Sequence, residues 1–179
     1  RSLAAHLARE SSSAVYVLDY RLAPENPYPA GLNDAVAAFR ELVKSHGFSP
    51  DRIAIGGDSA GGGLTVATAR HLVDDGMVPA ALALISPWVD PGARDAQIPR
   101  DIVVNTAWSY SAAEAYLGDG DPRDQGYAPL LGDLTSLPPI VMHVGTAEVL
   151  SPQITTFRPS MRPLVRRMVS VSSSPCVGC

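Results

Sequence analysis

Cysteine is almost missing from this chain: two occur in 179 residues, and both, Cys176 and Cys179, stand at the very end. The body of the protein therefore offers no disulfide framework, and one C-x-x-C without a second pair or a redox context is weak ground for metal or redox chemistry. No apolar run reaches the roughly 20 residues that a membrane span requires. Basic residues are outnumbered, 14 Lys and Arg against 18 Asp and Glu, for a formal charge of −4. That balance provides no basic face for nucleic acid and suits a small neutral substrate better than a polyanion. Glycines are present, but no Gly-Lys-Ser/Thr follows them, which argues against a phosphate loop. The first residues lack a signal-peptide core and cleavage pattern, which favours a cytoplasmic protein. Histidine is scarce too: His6, His46, His71 and His143 are the full set of four.

What remains is apolar in a patterned way. Apolar residues make up 46% of the chain, enough for one domain with a real core. Residues 1–10 read as an amphipathic helix with Leu3 and Leu7 on one side. Ala14-Val15-Tyr16-Val17-Leu18-Asp19-Tyr20 is β-branched and aromatic and reads as a strand, after which prolines at 24, 27 and 29 impose a rigid loop. Leu32, Val36, Phe39, Leu42 and Val43 recur at helical spacing until Gly47 and Pro50 stop them. A strand over 52–56, a helix continuing through 64–73 and a near-continuous apolar strand over 80–85 follow. This alternation implies an α/β fold, a mostly parallel sheet with right-handed crossovers and helices on both faces. Residues 91–110 are irregular, a loop or cover, and 111–117 read as a short helix with Ser111 as N-cap and Glu114 completing a capping box. Leu137-Pro138-Pro139 introduces another buried strand over 140–144.

Beyond Leu150 the character changes. Asp and Glu vanish, Arg158, Arg162, Arg166 and Arg167 appear, and prolines interrupt any helix. Residues 1–150 are therefore expected to form the domain, and 151–179 an atypical C-terminal tail that is out of frame or disordered. A shift of reading frame near Phe157 would account for the change, and a natural truncation with an unstructured tail is the alternative.

The motif that carries chemistry is Gly57-Asp58-Ser59-Ala60-Gly61, entered by the apolar run Ile53-Ala54-Ile55 and left by a helical pattern. It is G-x-S-x-G in the strand-turn-helix context of a nucleophile elbow. A serine on so tight a turn projects above the strand ends, and the helix that starts beside it turns free N–H groups toward any developing oxyanion. The competing reading is a plain glycine-rich turn before a helix.

Three segments together are similar to the hormone-sensitive-lipase family of α/β-hydrolases, which includes bacterial carboxylesterases. They are Asp19-Tyr20-Arg21-Leu22-Ala23-Pro24-Glu25 with Tyr28-Pro29-Ala30, then Gly57-Asp58-Ser59-Ala60-Gly61-Gly62, then Leu137-Pro138-Pro139 with Val144-Gly145-Thr146-Ala147-Glu148-Val149-Leu150. The resemblance covers about residues 1–150 in the family's order and implies a partial α/β-hydrolase domain. It further implies that Ser59 is the acyl-accepting nucleophile, the N–H of Ala60 an oxyanion donor, and Glu148 the acid that orients a catalytic histidine. A solvated loop carboxylate is the plainer reading of Glu148. The chemistry so implied is hydrolysis of a small apolar ester through an acyl-enzyme, with no metal or organic cofactor. Arg21 and Glu25 are expected to fix the Pro-rich loop, Asp58 to be structural, and Trp88 and Trp108 either to line an acyl pocket or to pack in the core.

Two departures qualify the likeness. The family's His-Gly-Gly oxyanion motif precedes the helix with which this chain opens, and its catalytic histidine follows the acid, whereas all four histidines here precede Glu148. The expectation is a domain truncated at both ends and impaired in turnover, with a non-catalytic small-molecule binding protein or a defective product as alternatives.

Overall fold

A computed structural model of the protein describes residues 2–94, 101, 104–145, 147–160 and 165–171. Helix α1 spans Ser2–Ser11 and α2 spans Ala30–Lys44; β1, Ala54–Asp58, runs into α3, Ala60–Asp74. Then come β2, Ala81–Ile85, α4, Thr106–Leu117, β3, Ile140–Gly145, α5, Ser151–Ser160, and β4, Val165–Val171. Among the described residues the strands form one sheet in the order β1-β2-β3-β4. Every pairing is parallel, so all the strands end at one rim. This is the parallel α/β sheet that alternating apolar runs imply.

The core explains the order. Leu82 and Leu84 of β2 and Ile140, Met142 and Val144 of β3 point to one face, where they pack with Val66 and Ala69 of α3 and with Ile154 and Phe157 of α5. A second cluster joins Leu32, Val36 and Phe39 of α2 to Ala67 and Leu72 of α3, with Ile53 and Ile55 against it. The helices α2, α3 and α5 thus share one face of the sheet. On the other face Ala83, Ile85, Val141 and His143 are exposed, so among the described residues the expected helical cover is met on one face and not on both.

Three local readings change. Residues 14–20 form no strand. Tyr16 packs edge-on against His46 and Phe48 just beyond α2, and the backbone N–H of Arg21 donates to Asp34 on α2, so the segment lies along that helix. A strand is stabilised by a ladder partner, and the described sheet begins at β1 without pairing to it. Helix α4 starts earlier than Ser111 because Asn105 caps it, its side chain accepting from Trp108 N–H at 2.8 Å. Finally, the prolines of 151–160 do not prevent α5: Pro152 falls in the first turn, where its missing N–H would have no helical acceptor. Fully buried Ile154 and Phe157 anchor that helix.

The Pro-rich loop is tied down at both ends. Arg21 clasps Asp34, its Nε lying 3.1 and 3.0 Å from the two carboxylate oxygens and its Nη2 2.7 Å from Oδ1. This guanidinium holds the Asp34 carboxyl below the usual aspartate range. Arg21 fixes the loop, not through the local hydrogen bonds expected of it but through Asp34 on α2, 13 residues on. Further along, Tyr28 meets Tyr116 of α4 and Tyr127 in a cluster of rings, and Tyr127 O–H donates to Ala113 C=O at 3.1 Å. Burial pushes the phenols of Tyr116 and Tyr127 up to about 12. A phenol whose pKa is raised on folding contributes stability that is complete below its unfolded value, about 10, and is lost as pH rises through the folded one. Alkaline unfolding followed by circular dichroism is therefore expected to begin above about pH 10, and Tyr116→Phe to move that onset upward.

Candidate active site

Ser59 alone connects β1 to α3, and the connection is strained. Its φ of 54° and ψ of −115° lie where a residue with a side chain rarely goes, at a cost of about 1–3 kcal/mol. The surroundings hold it there. Ser59 N–H donates to Ile85 C=O at 2.9 Å, while Ser59 C=O accepts from Gly62, Gly63 and Trp88 N–H at 3.0, 3.1 and 2.8 Å. Two glycines make the turn possible by close approach. A Cβ on Gly57 would lie 2.1 Å from Gly61 C=O, and one on Gly63 would lie 2.0 Å from Trp88 C=O. Replacing Ser59 by glycine removes the strain, and an increase of about 1 kcal/mol in unfolding free energy is expected by denaturant titration.

Helix α3 begins at Ala60, so the Ala60 N–H belongs to the first turn, whose donors lack helical acceptors, and the positive end of a 15-residue helix lies beside Ser59. A small cavity of about 20 Å³ adjoins the serine, walled by Trp88, Val104, Trp108, Ser109 and Leu150. Both tryptophans thus face the candidate site; Trp88 also packs against the core, whereas Trp108 is 60% exposed. A larger cleft of about 390 Å³ lies farther along α3, between Arg70, His71 and Asp74 and the loop 123–126. It holds no hydroxyl or thiol nucleophile, and Arg70 is already paired with Asp74. Ser59 is therefore the candidate on chemistry rather than on volume.

Glu148 lies just past the end of β3, on the same rim as Ser59, and Leu150 beyond it forms part of the cavity wall. Its carboxylate rests over Gly145, where an added Cβ would come within 2.4 Å of Oε1. Among the described residues its Oε2 is buried without a hydrogen-bond partner. None of the four histidines lines the cavity. His143 occupies the exposed sheet face in the row of Asp58 and Ile85, His71 is exposed on α3, His46 stacks on Phe48, and His6 lies on α1. Asp58, exposed at the end of β1, shares that outer face and stands apart from the helix layer.

A strained serine between a parallel strand and a helix, with a carboxylate on the same rim, is a recognisable arrangement, and residues 1–169 match the family described by the α/β-hydrolase fold. This chain is a member of the α/β-hydrolase fold family. The chain is 44% identical over 155 residues to an acetyl-hydrolase of Streptomyces hygroscopicus, a match covering 84% of this chain and 52% of that protein. It is 36% identical over 151 residues to the carboxylesterase/phospholipase LipF of Mycobacterium tuberculosis, covering 78% of this chain and 40% of the relative. Among solved structures, an esterase of the bacterial hormone-sensitive-lipase family aligns with a TM-score of 0.87 at 40% identity, over 96% of this chain and 60% of that one. The chain thus belongs by family with esterase/lipase-type α/β-hydrolases, and it spans about half the length of the curated relatives it matches. Among its described residues no helix is long and apolar enough to cross a membrane.

Proposed function

We propose that the hydrolase belongs to a carboxylic-ester hydrolase lineage that works through an acyl-enzyme on Ser59. The observation that carries this reading is the positive φ of Ser59, held by hydrogen bonds at both its N–H and its C=O. In a complete catalytic set an imidazole takes the Ser59 proton as Oγ bonds to the ester carbonyl carbon. The Ala60 N–H and the α3 dipole stabilise the oxyanion, and the alcohol departs with a proton from the imidazolium. Water then cleaves the acyl-enzyme, releasing the carboxylic acid and regenerating the hydroxyl. Glu148 orients the imidazole by accepting its other N–H, a role that the buried, unpartnered Oε2 supports. Small apolar esters are the proposed substrates, in keeping with the relatives' names and the Trp88, Val104 and Leu150 wall. The steps require neither metal nor organic cofactor.

For the 179 residues themselves we expect weak turnover, since no histidine follows Glu148 in the sequence and none lines the Ser59 cavity. The test is hydrolysis of p-nitrophenyl butyrate by the chain and by Ser59→Ala. Rates barely above the variant are expected; robust Ser59-dependent turnover would show that a base is present after all. Slow fluorophosphonate labelling confined to Ser59 is also expected. Apolar ligand binding without such labelling would instead favour a binding protein, which the same apolar wall would also serve. Although the core reaches past 150 to Ile154 and Phe157, the out-of-frame origin of the tail and the frame shift near Phe157 are part of this proposal. A continuous alternative frame in the encoding DNA that restores a strand and a histidine would support them, and stop codons throughout that frame would remove them.

A further inference from the structure

Three segments close on Ser59: the loop after β2 that carries Trp88, the stretch before α4 that carries Val104, and the loop between β3 and α5 that carries Glu148 and Leu150. Two side chains distant in sequence join them. Gln153, part-buried at the start of α5, accepts both Val89 N–H and Asp90 N–H on Oε1, each at 2.8 Å. Asp101 accepts Val104 N–H on Oδ1 at 2.9 Å and Val149 N–H on Oδ2 at 2.8 Å. The residue before Val89, Trp88, donates its N–H to Ser59 C=O at 2.8 Å. One run of bonds therefore leads from the elbow through residues 88–90 to the helix that follows the acid, and the other from the neighbour of Glu148 to the cavity wall.

We propose that Gln153 and Asp101 are positioning residues that brace the Glu148 loop against the Ser59 elbow. The proposal rests on the reading of those two residues as acid and nucleophile. Each brace works as an acceptor, so chemistry distinguishes the useful substitutions. Gln153→Glu keeps an oxygen for both N–H groups, and Gln153→Leu removes it. Asp101→Asn retains one acceptor oxygen and turns an NH₂ toward the other donor, so it serves only one of the Val104 and Val149 N–H groups.

Hydrogen exchange by mass spectrometry and the rate of Ser59 labelling by a fluorophosphonate, both on the full chain, test the brace. Gln153→Leu and Asp101→Asn are each expected to speed exchange in both 86–91 and 147–150 and to slow labelling about tenfold, as a displaced reactive group should. Gln153→Glu is expected to match the parent in both. Faster exchange only in the loop that each side chain touches, or labelling unchanged in folded variants, would overturn the proposal. A parent chain that is never labelled at Ser59 overturns the nucleophile reading instead, and the exchange pattern then decides the brace by itself.

Discussion

Gly63→Ala is expected to destabilise the protein by about 4 kcal/mol or more, which places it among the exceptional single substitutions. The added Cβ would stand 2.0 Å from Trp88 C=O. Both sides of that clash are backbone, so no rotamer change relieves it. The loop cannot simply retreat either, because Trp88 N–H is bonded to Ser59 C=O and Val89 and Asp90 N–H to Gln153. Moving α3 away instead would loosen its packing on β1 and the bonds that hold Ser59 in its strained conformation. Gly61→Ala is the matched control, since a Cβ there meets nothing within 4 Å. It should match or exceed the parent, alanine being favoured over glycine in a helix by about 1 kcal/mol. Thermal melts by circular dichroism compare the two, and a Gly63→Ala protein melting with the parent would refute the close approach of α3 to the loop after β2.

Phe157→Ala is expected to cost about 3–5 kcal/mol, the range for removing a large buried aromatic side chain. Phe157 has no exposed surface and packs in the cluster that contains Met142, Val144 and Ile154. Relaxation can recover little of the loss, because β3 and α3 line the rest of that cluster and are tied into the sheet. In a domain of this size the change corresponds to a fall in melting temperature of roughly 10 °C. Thr156→Ala, at an exposed position on the same helix, should remain within about 0.5 kcal/mol of the parent. Equal melting of the two variants would mean that α5 is not docked as described. The comparison matters because the change in composition falls after Leu150, while the core continues through Phe157.

Much of the sheet was legible because buried parallel strands are short apolar runs and their crossover helices repeat apolar residues every three or four positions. The pattern at 52–56 and at 80–85 therefore located β1 and β2 to within about two residues, and Ile140 opens β3 as expected. Where only half of a rule was visible, the reading failed. Val15, Tyr16 and Val17 have strand-forming side chains, but such preference does not create a ladder, and the segment lies along α2 instead. Ser111 and Glu114 resemble a capping box, yet Asn105, six residues before Ser111, captures the Trp108 N–H and starts α4 there.

What the chain determined by itself is the elbow. The apolar run entering Gly57-Asp58-Ser59 and the helical pattern leaving it mark a tight strand-to-helix turn, in which Gly57 has no room for a Cβ against Gly61 C=O, so the position of Ser59 could be read without coordinates. What only the tertiary structure decided is how that serine is surrounded. Asp101 meets Val149 across 48 residues, and Gln153 meets Val89 across 64. Each is a single side chain accepting bonds from backbone brought near by packing, and no local periodicity marks such a residue in advance.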